Sequence, residues 1–257
     1  MEQLTGIFDS HAHYDQKRFD ADREEVIAAL AAAGVSRVMN AASDLPSSRD
    51  AMALAEQYPF FWCSVGIHPH EAEDAPADYL DQLRELSKHP KVKAIGEIGL
   101  DYHYDFSPRD IQRRVFEEQL ILAKELDLPV IIHDREAHAE TMELLTKYRP
   151  RGVVHCFSGS AEMAQQVAQL GMYVGFTGTV TFKNARKPLE AVAAVPEDRI
   201  LMETDCPYMA PEPLRGRRSD SSMLPYTAAA MAAARGITPQ QMVDIAARNA
   251  CRLFGIE

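Results

Sequence analysis

Six residues with metal-binding side chains stand at or near the ends of separate apolar runs. They are His11 and His13 in FDSHAH, Glu97 in AIGEIGLD, His133 in VIIHD, His155 in VVHCF and Asp205 in LMETDCP. Imidazole and carboxylate ligands suit zinc, manganese and related divalent ions, whereas calcium takes oxygen ligands only. The four cysteines, Cys63, Cys156, Cys206 and Cys251, form no CxxC pair, which argues against a structural zinc site. Six ligands are too many for one open catalytic ion. They suit two divalent ions (zinc, manganese or magnesium) that share Glu97. Such a centre hydrolyses its substrate with a water whose pKa the ions have lowered.

The spacing supports this chemistry. Residues two apart in a strand point to the same side, so His11 and His13 can hold one ion together while Ala12 points away. Glu97 interrupts the run VKAIGEIGL, where a buried carboxylate is costly without a partner. An ion pair with an arginine is the competing explanation. His133 and His155, taken singly, read as hydrogen-bonded core histidines; their meaning changes only if one architecture brings all six residues together.

The elements needed for that are legible. Apolar strands are expected at 6–13, 36–42, 60–68, 92–100, 128–133, 152–158, 172–178 and 199–205. Helices are expected near 20–33, 46–57, 77–88, 108–127, 137–148, 161–170, 186–194, 223–234 and 239–254. Near-continuous apolar runs suit parallel strands buried on both faces. Ser107-Pro108 and Thr238-Pro239 place a capping hydroxyl before a first-turn proline, and Gln241 completes a capping box with Thr238. Gly34, Gly171 and Gly236 suit helix ends. The pattern predicts an α/β fold, a (β/α)8 TIM barrel, as a single domain over 1–257, with chemistry at the rim formed by the strand ends. The 209–222 segment after the eighth strand is the one long irregular loop.

The chain has 257 residues, 46% hydrophobic and 25% charged, with a formal charge of -11. That balance argues against a protein that coats nucleic acid through a basic face, and the local arrangement decides. Two divalent ions would still make the pocket locally positive and able to attract an anionic phosphodiester. MEQLTGIFDS has no basic and apolar leader pattern, and no stretch reaches the ~18 apolar residues of a membrane span. The expectation is a cytoplasmic protein with no membrane partner and reduced, mostly buried thiols.

The segments DSHAHYD (9–15), VGIHPH (65–70), IGEIGLDYHYD (96–105), VIIHDREAH (130–138), VHCFSG (154–159), ETDCPYMAP (203–211) and NACRLF (249–254) resemble the TatD family of metal-dependent deoxyribonucleases, within the amidohydrolase-like barrels. The match runs from the first strand to the last helix. It implies that His11, His13 and Asp205 hold one ion, that His133 and His155 hold the other, and that Glu97 bridges them. It implies that His68 contacts substrate phosphate. The activity implied is 3′–5′ exonuclease cleavage of single-stranded or damaged DNA, with DNA ends as the partner. Asp205 would orient the attacking water and take its proton, with Glu97 as the second catalytic carboxylate.

Many members read RGxxNEP after the last strand motif. This chain has Arg215-Gly216-Arg217-Arg218-Ser219-Asp220 instead, so Arg215, Arg217 and Arg218 become the candidate phosphate contacts. Asp9, Asp101 and Asp134 are the expected supports of the imidazoles. Tyr102, Phe157, Phe176 and Tyr208 are the expected stacking surface. The same centre could instead cleave an ester or amide, such as a D-aminoacyl ester on transfer RNA. A non-catalytic binding protein that kept the barrel is the third reading.

Overall fold

In the computed structural model, which describes residues 3–256, short apolar strands alternate with helices along the chain. The strands are β1 (Ile7–Ala12), β2 (Val35–Asn40), β3 (Phe61–Val65), β4 (Val92–Asp101), β5 (Val130–Arg135), β6 (Gly152–Val154), β7 (Tyr173–Phe176) and β8 (Ile200–Met202). The helices are α1 (Arg23–Leu30), α2 (Leu45–Gln57), α3 (Tyr79–Leu86), α4 (Arg109–Glu125), α5 (His138–Tyr148), α6 (Ala161–Gln169), α7 (Arg186–Ala194), α8 (Leu224–Arg235) and α9 (Pro239–Phe254). The strands lie side by side in sequence order in one parallel sheet. Beyond β8 the chain returns to β1. Asp205 donates its amide to the His11 carbonyl at 2.9 Å, and His13 donates to the Cys206 carbonyl at 2.8 Å. The expected (β/α)8 barrel is therefore the observed fold.

Strand periodicity explains what fills the interior. Phe8, Met39, Trp62, Ala94, Ile131, Val153, Tyr173 and Leu201, one from each strand, form a single apolar layer. The end of α9 closes it from below with Leu253, Phe254 and, just beyond, Ile256. Two positions further along, on the strands or just past their ends, stand Ser10, Ala41, Ser64, Gly96, His133, His155, Gly175 and Glu203. Small residues and polar ones share that layer, so polar side chains stand above the apolar floor.

Several boundaries differ from the sequence expectation. The strands β6 and β8 stop at Val154 and Met202, so His155 and Asp205 stand beyond them rather than within them. Asp205 has φ of 59°, in the left-handed region that Asp tolerates better than most residues. Pro108 is the N-cap of α4, not its first helical residue. The Ser107 hydroxyl donates to the His70 carbonyl and accepts the Glu73 amide instead of capping. The Thr238–Gln241 capping box and the left-handed Gly236 cap form as expected. The segment 20–33 is shorter as a helix, with a separate 3-10 turn at Lys17–Phe19.

Candidate active site

Glu97 occupies the centre of the rim, 3% exposed. Its two oxygens face different imidazoles. Oε2 lies 3.3 Å from His11 Nε2 and 3.6 Å from His13 Nε2. Oε1 lies 2.7 Å from His155 Nε2, 2.8 Å from His133 Nδ1 and 3.5 Å from His68 Nε2. Asp205 Oδ1 completes the first side, 3.3 Å from His13 Nε2 and 3.7 Å from His11 Nε2. The barrel thus brings together all six residues singled out from the sequence, and His68 with them. Ligand atoms within 4.8 Å of one another form three overlapping groups: His11–His13–Asp205, His11–Glu97–His155 and His68–Glu97–His133.

Hydrogen bonds fix which ring nitrogens are lone pairs. His13 Nδ1–H donates to the Ala41 carbonyl at 2.8 Å, leaving the Nε2 lone pair toward Asp205. His133 Nε2–H donates to Asp101 at 3.0 Å, leaving the Nδ1 lone pair against Glu97. A lone pair 2.8 Å from a carboxylate oxygen needs a positive charge between them. Without a cation a proton must serve. Accordingly, although burial alone would lower them, Asp205 and Glu97 push His13 up to about 10, and Asp101 and Glu97 push His133 up to about 9. Burial opposes the Glu97 charge, but His155, His68 and His11 hold its carboxyl well below the usual range. Nitrogen and oxygen donors that demand positive charge fit divalent metal ions.

His68 is set differently. Its Nδ1 accepts the His70 amide at 3.1 Å, and burial lowers the ring to about 4. Neutral His68 therefore carries its proton on Nε2, which makes that atom a donor.

The supporting carboxylates differ from the expected set. Asp101 acts as expected. It accepts from His133, from His70 Nε2 at 2.9 Å, and from the His103 and Tyr104 amides. Asp9 accepts the His11 amide at 3.4 Å rather than an imidazole hydrogen bond. Its side chain accepts from the Thr204 amide and hydroxyl and from Ser221, and so ties the segment after β8 to β1. Asp134 accepts from His138, outside the cluster. The carboxylate that sequence reasoning missed is Glu203, fully buried, with Oε1 3.7 Å from His155 Nδ1. The signal was present: an acidic residue in the apolar run ILMETD, the same anomaly that marked Glu97.

The loop arginines separate into distinct roles. Arg218 is spoken for: it forms a two-pronged pair with Asp22 at 2.7 Å and lies over the Phe19 ring. Arg215 lies over Phe182, 4.2 Å from its centroid, and Arg217 is exposed. Phe157 and Phe176 are buried and offer no stacking face. Tyr102 is held by Glu140 and Arg109, whereas Tyr208 is exposed beside Arg18. The four cysteines are free thiols, Cys63 and Cys206 buried. Among the described residues no helix is long and apolar enough to cross a membrane.

A (β/α)8 barrel whose C-terminal rim buries this cluster defines a metal-dependent hydrolase. A family model described as TatD related DNase matches residues 8–255, and the chain belongs to that family. It is 44% identical to the uncharacterized metal-dependent hydrolase YabD of Bacillus subtilis, over 97% of this chain and 99% of that one. It is 38% identical to the 3′-5′ ssDNA/RNA exonuclease TatD of Cronobacter sakazakii, over 96% of this chain and 97% of that one. The crystal structure of the TatD homologue YjjV from Escherichia coli matches with a TM-score of 0.93 at 32% identity, covering 98% of this chain and 99% of that one.

Proposed function

We propose that this protein is a phosphodiesterase that shortens single-stranded DNA from its 3′ end, and that Glu97 would be shared by the two divalent ions it would use. The observation that carries this reading is the division of Glu97 between two sets of nitrogens. Oε2 faces His11 and His13, and Oε1 faces His133 and His155. His11, His13 and Asp205 would hold one ion, and His133 and His155 the other. Bound there, zinc, manganese or magnesium would acidify a water and neutralise charge on the phosphoryl oxygens.

The side chains supply the rest. Asp205 stands at the outer edge of the cluster, where its carboxylate orients the attacking water and receives its proton. The Nε2–H of His68 donates to a phosphoryl oxygen. Asp101 keeps His133 in one tautomer and one orientation through the reaction. Arg215 and Arg217, on the loop after β8, meet backbone phosphates further out. The relatives named as exonucleases for single-stranded DNA and RNA support this substrate class.

A 5′-labelled single-stranded oligonucleotide, incubated with the metal-loaded protein, tests the reading beside a D-aminoacyl ester under the same conditions. A ladder that shortens from the 3′ end, abolished by a chelator, is the expected result. Turnover of the ester without cleavage of the oligonucleotide would overturn it.

A further inference from the structure

The loop after β4 leaves two aromatic rings in solvent: Tyr104, 48% exposed, and Phe106, 65% exposed. The rings stack on each other, 5.3 Å between centroids and 27° from parallel. Stacked aromatic rings left in solvent offer a planar apolar face on which another ring can lie. This pair is joined to the buried cluster by a run of rings. Phe106 lies 4.8 Å from His70, His70 lies 4.4 Å from His68, and His68 lies 4.5 Å from His133.

A positive charge completes the face. The Arg135 guanidinium lies over the Tyr104 ring, 5.0 Å from its centroid, and among the described residues it has no carboxylate partner. The nearby carboxylates are already paired, Asp105 with Arg109 and Glu136 with His103. They leave Arg135, the last residue of β5, as a cation beside these rings with no carboxylate partner among the described residues.

Stacking rings suit any nucleobase, and a free guanidinium suits a phosphate. We propose that Tyr104, Phe106 and Arg135 form the subsite for the nucleotides immediately 5′ of the one being removed. Their bases lie on the Tyr104–Phe106 face and their backbone phosphate lies on Arg135. The inference rests on the phosphodiesterase reading above and adds the path of the strand out of the site. Because stacking reads no base edge, the subsite binds all sequences with similar strength.

The test uses an oligonucleotide with 2-aminopurine as the second nucleotide from the 3′ end, the full chain, and the surface double variant Tyr104→Ala/Phe106→Ala. Binding to the wild-type protein should quench the fluorophore, and the double variant should lose that quenching. KM should rise about tenfold, with a smaller change in kcat. The rise should shrink when the nucleotides next to the terminal one are abasic. Tyr104→Trp/Phe106→Trp should restore quenching. Arg135→Ala should reduce the salt slope of binding by about one. If the wild-type protein cleaves the strand while the double variant quenches and binds equally well, the subsite is wrong and the nuclease reading stands. If the wild-type protein neither binds nor cleaves the strand, both are wrong.

Discussion

Glu203 sits directly behind the His155 ring, its Oε1 3.7 Å from His155 Nδ1, while it accepts the Cys156 amide at 2.6 Å. Its other oxygen accepts the Ser10 hydroxyl at 3.1 Å. Burial pushes its carboxyl up to about 7, against the pull of His155. At that distance it faces, as an ion pair rather than a hydrogen bond, the ring that points its Nε2 at Glu97. Glu203→Gln keeps the shape and removes the charge. It should weaken metal binding about 10–100-fold, read by titrating metal into the stripped protein. Wild-type affinity in that variant would remove Glu203 from the support of the site.

The same carboxylate depends on Gly175. A Cβ added there would lie 2.5 Å from Glu203 Oε2 and 2.7 Å from Oε1. Both groups lie deep in the barrel, where neither has room to retreat. Gly175→Ala should therefore lower stability by about 1–3 kcal/mol, as other overpacked cores do. Chemical denaturation measures it, and an unchanged midpoint would mean that Glu203 moves freely.

Glu97→Gln removes the charge shared by both sets of imidazoles while keeping nearly the same volume. Turnover should fall by more than the about 100-fold typical of losing a supporting residue, with the far-ultraviolet circular dichroism unchanged. A folded Glu97→Gln protein with wild-type turnover would end the two-ion proposal.

Arg218 and Arg217 are neighbours with opposite expected phenotypes. Arg218→Ala breaks the pair with Asp22 and uncovers Phe19, so it should lower the melting temperature and leave the salt dependence of oligonucleotide binding alone. Arg217→Ala should leave the melting temperature alone and reduce the salt slope by about one. The reverse outcome in either protein would undo the division of roles within the loop.

His138 offers a pH test away from the catalytic cluster. The hydrogen bond to Asp134 raises its pKa above the ordinary 6.5, and partial burial opposes the rise. A group whose pKa is raised by folding stabilises fully below its unfolded value, and the benefit fades as pH climbs through the folded value. The melting-temperature gap between wild type and His138→Gln should therefore be wider near about pH 6 than near about pH 9. A gap that is equal at both, or wider at the higher pH, contradicts the pairing.

Much of the site was legible because its chemistry is anomalous in its setting. Glu97 stood out as a charge within an apolar strand, and His11 and His13 stood out through the two-residue repeat of a strand. Glu203 carried the same anomaly as Glu97 but was overshadowed by Asp205 two residues later. The aromatic residues were harder. Phe157 lies just past β6 and Phe176 ends β7, as Tyr104 and Phe106 lie just past β4, but the first two are buried and the last two are exposed. Position along the chain does not say which way a side chain turns once its strand has ended.

The sequence alone determined the eight apolar strands, the helices between them, and the residue types able to hold a metal. Those features depend on local periodicity, capping and the cost of burying charge. Only the tertiary structure decided who serves whom. Asp9 reaches Thr204 and Ser221, Arg218 reaches Asp22, and Glu203 reaches His155. Each of these partnerships joins strands or loops far apart in the chain. Their geometry is set by barrel closure and by the chain's course after each strand, which no local pattern encodes.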